Sequence, residues 1–520
     1  MKGWELSKED LIYLADHGID PEIFNRYRSL FEAGKYPPDL VRPCTLGDGI
    51  EFLGSEDQEA YIELYESEAL KGRCSKFVPA SGAATRMFQS LCLIFQHDSI
   101  NTLKDLASKA ATKPELKDTL KFFQHISKFP FFPELQSWCK SHGLSVEEIL
   151  EKGPLKLITR GILRHHDGLG LGTLPKALLP FHRYGEEVLT AFDEHILEAA
   201  GYVTDENGIC QIHFTVPEEH LTRFEKRAET ISKRLAAQGV HLNISFSIQH
   251  PSTHTPAVNQ KGELVRRHDG KILLRPGGHG ALLKNLQEFG GDIVFIKNVD
   301  NVPEDHIKPL VVRWKKILGG MLIAVERDFN QALDQLEKDP DGVAKAEAVW
   351  AKWKQVLPPN YDNLNNTEKK RLFSFLLDRP KRVCGMVQNV GQPGGGPFWV
   401  KDPKGWICRQ IIEKPQIDSN NPQQVAIWNA STHFNPVDVV CALKNSHGKP
   451  YQLFQFVDQT SYIITEKSHH GILTKVLEHP GLWNGSMAWW ITVFVEVPRE
   501  TFYPVKQITD LLEKESLKEK

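Results

Sequence analysis

The sequence has little of what marks a membrane-spanning or disulfide-rich secreted protein. No apolar run approaches the roughly 20 residues that a transmembrane helix needs. The start, Met1-Lys2-Gly3-Trp4-Glu5, leads into an acidic, amphipathic stretch rather than the apolar centre of a signal peptide. The eight cysteines are scattered and form no Cys-x-x-Cys pair, which argues against a disulfide framework and a zinc cluster. We therefore expect a cytoplasmic protein with reduced, mostly buried thiols.

An excess of charge of either sign is also missing. The chain has 63 basic and 66 acidic residues, a net charge of -3 and no acidic block. Because nucleic-acid binding needs a basic surface, this balance argues against a nucleic-acid partner, and the missing apolar run argues against a membrane partner. The hydrophobic content of 41% is enough for a large core. The oligomeric state stays open.

Short apolar strands alternate with amphipathic helices through the middle of the chain. Strands are predicted at 211–216, 242–248 and 292–296. Helices are predicted at 186–200, 218–237 and 280–289. Later strands are predicted at 383–387, 406–413, 452–457 and 489–497. This βαβ rhythm predicts an α/β fold in which helices cover a mostly parallel sheet.

Changes in this pattern predict the domain organisation. Residues 1–70 are interpreted as an N-terminal helical segment, 71–500 as the main domain and 501–520 as a C-terminal segment. Two helical insertions, at about 98–160 and 328–378, interrupt the main domain. The apolar stripe of the second insertion is more typical of core packing than of a cofactor site.

Residues 79–87 form a loop of small side chains between a predicted strand and a helix opening with Thr85-Arg86. Small side chains let backbone N–H groups approach a ligand closely, and a helix N-terminus favours a phosphate. Arg86 adds a side chain that can hold phosphate oxygens by two parallel hydrogen bonds. The loop therefore predicts a phosphate site, although tight strand–helix packing alone would also explain the small residues.

Two further loops combine glycine or proline with one basic side chain. Lys176 lies in the stretch 172–180, between two prolines that fix its position. It would be an ordinary solvated lysine unless a phosphate site lay beside it. Gly278 and His279 lie in 274–280, where three glycines require a close backbone approach to another group. No histidine lies four residues away, so His279 is a more plausible hydrogen-bonding partner of a ligand than a metal ligand.

The predicted strand 292–296 is followed by Asn298-Val299-Asp300. Ligands of open α/β sheets bind beyond the carboxyl ends of the strands, and a carboxylate there suits Mg²⁺. An Asx turn is the structural alternative. Glu413 ends a later strand within Glu-Lys-Pro, and Lys506 precedes a short terminal helix within Pro-Val-Lys.

The order of these motifs resembles that of the sugar-nucleotide pyrophosphorylases. A small-residue loop with Thr-Arg, a Pro-Lys loop, a Gly-His-Gly loop, Asn-x-Asp, Glu-Lys-Pro and Pro-Val-Lys follow one another across 75–510. The Gly-His-Gly loop and the late Pro-Val-Lys look closest to the UDP-sugar branch. Over its whole length the chain is also similar to a bacterial family, domain of unknown function family 4301. The resemblance implies the three-layer, GT-A-like and Rossmann-like fold of nucleotide-diphospho-sugar transferases, with helical insertions.

The resemblance also implies roles for individual residues. Arg86, Lys176 and Lys506 would be catalytic, because they would neutralise phosphate charge. Mg²⁺ would be the cofactor, with Asp300 as its ligand and Asp458 as a second metal contact. The nucleotide and the sugar phosphate would contact a further set of residues: Ala80, Ser81, Gly82, Ala83, Ala84, Thr85, Gln249, Gly278, His279, Asn298 and Glu413.

Within this set the implied tasks differ. Gln249 would read the base, His279 would contact the sugar phosphate, and Glu413 would accept hydrogen bonds from sugar hydroxyls. The chain departs from the family at the phosphate loop, because Ser81 and Ala84 stand where the family has glycines.

These roles predict a nucleotidyltransferase that joins a sugar 1-phosphate to a nucleoside triphosphate, UTP first among them, and releases pyrophosphate. A glycosyltransferase on the same fold is an alternative, but it would usually show Asp-x-Asp where this chain has Asn298-Val299-Asp300. A non-catalytic sugar-nucleotide-binding protein would suit the altered phosphate loop. A structural scaffold would leave the Gly-rich loops unexplained.

Overall fold

Strands and helices alternate mainly in the middle of the chain, and runs of helices or of strands lie on either side. The computed structural model describes residues 4–391, 394–469 and 472–512. In these ranges the strands are β1 (Asp39–Pro43), β2 (Thr45–Leu46), β3 (Gly49–Glu51), β4 (Cys74–Pro79), β5 (Pro180–Tyr184), β6 (Glu187–Thr190), β7 (Ile209–Thr215), β8 (His241–Ser247), β9 (Thr255–Val258), β10 (Leu274–Arg275), β11 (Ile293–Lys297), β12 (Lys381–Gln388), β13 (Gly396–Lys401), β14 (Ile407–Ile412), β15 (His433–Ala442), β16 (Ile463–His469), β17 (Ile472–Glu478) and β18 (Ile491–Glu496). The α-helices are α1 (Lys8–Asp16), α2 (Pro21–Ala33), α3 (Ser55–Ala69), α4 (Gln89–Cys92), α5 (Leu103–Ala110), α6 (Lys117–Gln124), α7 (Phe132–Ser141), α8 (Val146–Lys152), α9 (Leu155–Leu163), α10 (Ala191–Ala200), α11 (Leu221–Ala236), α12 (Leu283–Phe289), α13 (Lys308–Lys338), α14 (Gly342–Lys352), α15 (Asn366–Leu377) and α16 (Pro422–Asn429).

A nine-stranded sheet forms the centre of the described structure, in the order β2-β3-β18-β12-β15-β11-β4-β7-β8. β15 is antiparallel to its neighbours β11 and β12, and the other neighbouring pairs of this sheet are parallel. The predicted α/β fold with a mostly parallel sheet is therefore confirmed. The carboxyl ends of β4, β7, β8, β11, β12 and β18 meet at one edge, which we call the carboxyl edge.

The side chains of β11 alternate between two apolar clusters. Ile293 and Phe295 pack with residues of α10, α11 and α13 on one face of the sheet. Val294 and Ile296 pack on the other face with residues of α12, β13 and β14. Burial on both faces explains why this strand is an unbroken apolar run. The second face is covered by strands and loops as well as by α12, whereas the sequence predicts a cover of helices.

Helices α5 to α9 surround a separate apolar cluster, to which Leu106, Phe122 and Ile158 contribute. The C-terminal segment inserts Val505 and Ile508 into the same cluster. This packing brings the end of the described chain back to the helices that follow β4.

Two predicted elements outside the candidate site differ from the structure. The predicted strand 452–457 is a 3-10 turn, Leu453–Phe456. Leu453 and Phe456, three residues apart, are both buried, and Gln287 accepts the Leu453 N–H at 2.6 Å. The three-residue period and this side-chain partner favour the turn over an extended strand. Residues 1–70 are not purely helical either, because β1, β2 and β3 pair with one another or with strands far along the chain.

The long helix α13 extends over 31 residues and begins well before residue 328, where a helical insertion is predicted. Its first half is buried against the main sheet through Ile317, Leu318 and Leu322. In the described ranges no helix is both long and apolar enough to cross a membrane. All eight cysteines are free, and most of them are buried.

Candidate functional site at the carboxyl edge of the sheet

The small-residue loop continues directly from β4 at the carboxyl edge. The Ala80 N–H donates to the Thr215 carbonyl at 2.9 Å, which extends the pairing of β4 with β7 by one residue. The Gly82 carbonyl then accepts the Lys176 N–H at 3.1 Å, and Ala83 forms an isolated bridge with Pro175. The backbone thus ties the small-residue loop to the Pro-Lys loop.

The helix predicted to open at Thr85 is absent from this fully described segment. Residues 85–88 form turns, and the α-helix that follows, Gln89–Cys92, has only four residues. The Met87 carbonyl accepts the Ile508 N–H at 3.1 Å and not the N–H of Leu91, which donates to Phe88 instead. The C-terminal segment therefore takes the acceptor that a regular helix would need.

The loop has no positive φ angle at Ser81 or Ala84, where the sugar-nucleotide pyrophosphorylases have glycines. Residues 80–88 all have negative φ angles, including Ser81, Gly82 and Ala84. Ala80 and Ala84 are buried, whereas Gly82, Ala83, Thr85 and Arg86 are exposed. The Cβ atoms of Ser81 and Ala84 are therefore compatible with the backbone of this loop.

Lys176 and Lys506 meet at one carboxylate oxygen, Oδ2 of Asp300. The distances are 3.0 Å from Lys176 Nζ and 2.8 Å from Lys506 Nζ. Asp300 follows β11 and is 8% exposed, and its Oδ1 takes part in neither ion pair. Burial raises the pKa of Asp300, but the charges of Lys506 and Lys176 outweigh burial and lower it overall. Burial lowers the pKa of Lys176, and Asp300 only partly offsets that effect, while Lys506 and Arg86 add to it.

Backbone pairing fixes the position of Lys506. The Val505 N–H donates to the Asp300 carbonyl at 2.9 Å, and Pro504 bridges Asn301. The Asn301 side chain accepts the Tyr503 N–H at 2.9 Å and is 1% exposed. Asn301 is thus a structural residue of the site, and the sequence motifs did not identify it.

A buried charge network supports the residues behind Asp300. Glu198 accepts from Lys76 Nζ at 3.0 Å and also pairs with Lys297. His195 Nε2 lies 3.1 Å from the Val299 carbonyl, next to Asp300 in the chain. Burial lowers the pKa of Lys76 to about 7 despite the Glu198 charge. Sequence reasoning missed this network, although a lysine inside a buried strand is the signal that could have revealed it.

His279, Glu413 and Trp483 form a second group. The Leu482 N–H donates to His279 Nδ1 at 3.0 Å, so the proton of the neutral ring lies on Nε2, which is 3.3 Å from Glu413 Oε1. The His279 ring stacks on Trp483 at 4.0 Å, and Trp483 Nε1 donates to Glu413 Oε1 at 3.1 Å. Burial raises the pKa of Glu413, but the bond and charge of His279 outweigh burial and lower it. Sequence reasoning did not identify Trp483 as a residue of the site.

This second group also belongs to the carboxyl edge. Glu413 follows β14 and lies against Gly395, whose Cβ position would be 3.3 Å from Glu413 Cγ. The Gly395 carbonyl accepts the Asn435 N–H near the start of β15 at 2.7 Å. Since β15 is antiparallel to its neighbours, its start lies at the carboxyl edge.

The glycines around His279 are explained by packing against another part of the chain. A Cβ on Gly280 would lie 2.0 Å from the Pro480 carbonyl oxygen, and one on Gly277 would lie 2.5 Å from the Thr253 carbonyl oxygen. Gly278 has a φ of +74°, which strongly favours glycine. The close approach that the sequence predicts is therefore one between backbone segments of this chain.

The side chains of Gln249 and Asp458 make hydrogen bonds within their own segments and take no part in the hydrogen bonds of either group in the described structure. Gln249 follows β8, with Nε2 at 3.4 Å from Thr253 Oγ1. Asp458 accepts from Thr460 N at 2.9 Å, and its other oxygen accepts from Ser461, so both oxygens stabilise a turn. Asn298 lies two residues before Asp300 in the chain, and its carbonyl accepts the Asn301 N–H.

Of the two predicted metal contacts, Asp300 is the one that keeps a carboxylate oxygen, Oδ1, outside the ion pairs and hydrogen bonds of the described structure. No group of three His, Cys, Asp or Glu side chains there is arranged to hold a metal ion. Mg²⁺ requires fewer protein ligands than this, since it commonly takes one or two carboxylates together with substrate phosphates. Asp300 Oδ1 fits that requirement.

The fold is similar to that of a solved UDP-sugar pyrophosphorylase. The structure is similar to uridine diphosphate N-acetylglucosamine pyrophosphorylase from Trypanosoma brucei in complex with an inhibitor, with a TM-score of 0.50, 12% identity and coverage of 97% of this chain and 79% of that one. UDP-glucose phosphorylase from Trypanosoma brucei gives a TM-score of 0.46, 13% identity and coverages of 96% and 77%. A UDP-glucose pyrophosphorylase variant from Leishmania major in complex with UDP-glucose gives a TM-score of 0.43 and 13% identity, and the match covers 98% of this chain and 79% of that one.

Sequence comparison defines the family. The family model for the domain of unknown function DUF4301 matches residues 7–516, so the chain belongs to the DUF4301 family. No curated protein matches the sequence.

Proposed function

We propose that the protein is a sugar-1-phosphate nucleotidyltransferase of GT-A-like architecture, with UTP as the first nucleotide to test. The observation that carries this proposal is the convergence of Lys176 and Lys506 on Asp300 beside the loop 80–86, at the carboxyl edge. These side chains come from separate motifs. The function explains why the fold brings them to one point where ligands of open α/β sheets bind.

The proposed reaction brings two anions together. An oxygen of the sugar phosphate attacks the α-phosphorus of the triphosphate, the bond to the bridging oxygen breaks, and pyrophosphate leaves. Such a reaction gains most from alignment and from neutralisation of developing charge. Lys176 and Arg86 are assigned to the triphosphate and Lys506 to the phosphate being transferred. Asp300 would hold both lysines at fixed positions until the phosphates arrive.

Mg²⁺ is the proposed cofactor and would supply further neutralisation of phosphate charge when bound. Asp300 would hold it through Oδ1, which lies outside both ion pairs. The turn around Asp458 gives no support for a second metal contact, because both of its oxygens accept hydrogen bonds within that turn.

His279, Glu413 and Trp483 are proposed to face the sugar phosphate. Glu413 Oε1 accepts from Trp483 and lies near His279, which leaves Oε2 for a sugar hydroxyl. The indole adds an apolar surface of the kind on which a sugar ring packs. In this assignment Glu413 determines which hydroxyl arrangement is accepted.

A panel of nucleoside triphosphates and sugar 1-phosphates tests the proposal through pyrophosphate release with Mg²⁺. We expect release only when both substrates are present, and a clear preference for one pair. Release that occurs with the triphosphate alone would contradict the transfer reaction. Silence of folded protein across the whole panel would contradict catalysis.

A second candidate is a sugar-nucleotide-binding protein without catalysis. The observation that favours it is the missing helix N-terminus behind the phosphate loop, since α4 begins at Gln89 and has four residues. A rise in Tm with UDP-sugars, without turnover of any substrate pair, would favour this candidate over the enzyme.

A further inference from the structure

A small cavity lies at the opposite end of the sheet from the proposed active site. Its volume is about 30 Å³, and residues of β14, of the stretch after α14 and of the start of β18 line it. Because β18 belongs to the parallel part of the sheet, its start lies away from the carboxyl edge. Four lining side chains matter here: Trp350, Arg379, Arg409 and Trp490.

The two arginines are buried without an acidic partner. Arg379 is 4% exposed and Arg409 is 3% exposed. In the described ranges, Arg379 donates to the carbonyls of Phe375 and Trp489, and Arg409 donates to that of Trp353, but no carboxylate pairs with either arginine. Arginine remains protonated in proteins, so the cavity wall carries two positive charges that face aromatic rings and backbone carbonyls but no paired carboxylate.

The other ionisable groups near the cavity do not neutralise this charge. Glu51 is a carboxylate whose charge reaches Arg409, and it already pairs with Lys354 at 2.6 Å. Burial raises the pKa of the Cys408 thiol to about 11, so this thiol is neutral at physiological pH. Burial also lowers the pKa of Arg379 to about 10, which still leaves it charged.

Three donors at the cavity have no hydrogen-bond partner among the described residues. They are Arg409 Nη1, Trp350 Nε1 and Trp490 Nε1, and all three atoms are buried. Indole and guanidinium nitrogens can only donate, so the group that these three atoms lack is an acceptor, and the cavity that their residues line is where it would bind. Buried donors are rarely left unpaired, because each loses its hydrogen bonds to water.

We propose that this cavity binds one small inorganic anion, of which a halide such as chloride is the expected form. A water molecule takes about 10–15 Å³ on the same scale, so about 30 Å³ accommodates a single halide ion but not a phosphate ester or a nucleotide. Water would satisfy part of the donor set but would bring no negative charge to the two guanidinium groups. The bound anion joins β14, the stretch after α14 and the start of β18 into one rigid unit.

Bromide gives a direct test because it scatters anomalously. Crystals of the full chain grown with sodium bromide should show an anomalous peak between Arg409 and Trp490. In solution, Tm should rise with bromide or chloride concentration above its value in gluconate of equal ionic strength, because the halide binds only the folded state. No anomalous peak in the cavity, together with equal Tm values in halide and gluconate, would overturn the proposal.

Two conservative variants keep the test falsifiable if Arg409→Gln fails to fold. Trp350→Phe and Trp490→Phe each retain an aromatic ring and remove one N–H donor. Each should raise the apparent Kd for bromide roughly tenfold, the size expected for one lost hydrogen bond to a charged group. Trp428→Phe, which alters a tryptophan packed on Phe398 outside the cavity, is the matched control and should leave the bromide dependence unchanged. Equal bromide dependence in all of these variants would contradict the assignment.

Discussion

Asp300 holds two ammonium groups with a single carboxylate oxygen. The sequence places Lys176, Asp300 and Lys506 in three separate motifs, and their order along the chain gives no distance between them. In the structure both Nζ atoms lie within 3.0 Å of Asp300 Oδ2, because the backbone of Val505 pairs with Asp300 and that of Lys176 pairs with Gly82. The chemical identity of these residues is therefore visible in the sequence, and their contact depends on long-range pairing.

We predict that Lys506→Ala lowers kcat/KM for pyrophosphate release about 100-fold to 1,000-fold, the usual cost of one lost transition-state contact. The side chain is 48% exposed, so stability should change little. The measurement is initial-rate kinetics with saturating Mg²⁺. Lys35→Ala, which removes an exposed lysine elsewhere, is the control and should keep the rate of the unaltered protein. A Lys506→Ala rate equal to that of the control would remove Lys506 from the mechanism.

Asp300→Asn should abolish measurable turnover while the protein stays folded. The amide keeps the shape and can still accept from one lysine, but it loses the charge that holds both ammonium groups and the proposed Mg²⁺ ligand. Pyrophosphate release and the circular dichroism spectrum are the two measurements. A folded variant with an unaltered rate would exclude Asp300 from catalysis.

At the scale of elements, the sequence predicts the strands better than the turns between them. β7, β8 and β11 were predicted within about two residues, because continuous or alternating apolar patterns specify buried strands. The helix at Thr85 and the strand at 452–457 were wrong, because partners distant in the chain, Ile508 and Gln287, take up the backbone groups involved. Local patterns carry no information about such partners.

The Gly-rich segment before α12 provides a test of packing against ligand binding. We predict that Gly280→Ala lowers the free energy of unfolding by about 1–3 kcal/mol or more, because the added Cβ would lie 2.0 Å from the Pro480 carbonyl oxygen. Gly82→Ala should change it by less than about 0.5 kcal/mol, since nothing lies within 4 Å of that position. Thermal and urea unfolding measure both. Equal stability of the two variants would refute the packing explanation.

A buried histidine on β7, His213, leads us to predict that the free energy of unfolding depends on pH. His213 is 5% exposed, and burial lowers its pKa to about 4 from 6.5. Between pH 4 and 6.5 the unfolded chain binds a proton at His213 that the folded chain does not bind. The contribution of His213 to the free energy of unfolding is therefore complete above pH 6.5 and is lost as pH falls towards 4. The loss should reach about 3 kcal/mol.

Replacing the histidine isolates this contribution. His213→Gln should flatten the fall of Tm between pH 6.5 and 4, whereas His447→Gln, at an exposed position, should leave the slope unchanged. Identical slopes for the two variants would mean that His213 does not control acid stability.

At the scale of the whole molecule, the six motifs become parts of one edge of one sheet. The parallel strands explain this for the small-residue loop and for Asn298-Val299-Asp300, which directly follow β4 and β11. Backbone pairing between distant segments brings Lys176 and Lys506 to the same edge. The sequence also predicts the fold class, because the βαβ rhythm is a property of the chain itself. It does not predict the Glu198 network, the stacking of His279 on Trp483 or the anion cavity, because each joins single residues that no local pattern connects.

The most direct test of the proposed function follows the phosphorus atom of the sugar 1-phosphate. The full chain would be incubated with Mg²⁺, UTP and a ³²P-labelled hexose or N-acetylhexosamine 1-phosphate. We predict that the label enters a nucleotide sugar in equal amount to the pyrophosphate released, and that Asp300→Asn stops both. Label that stays in the sugar 1-phosphate for every member of the panel, with folded protein, would contradict the assignment of the carboxyl edge as a nucleotidyltransferase site.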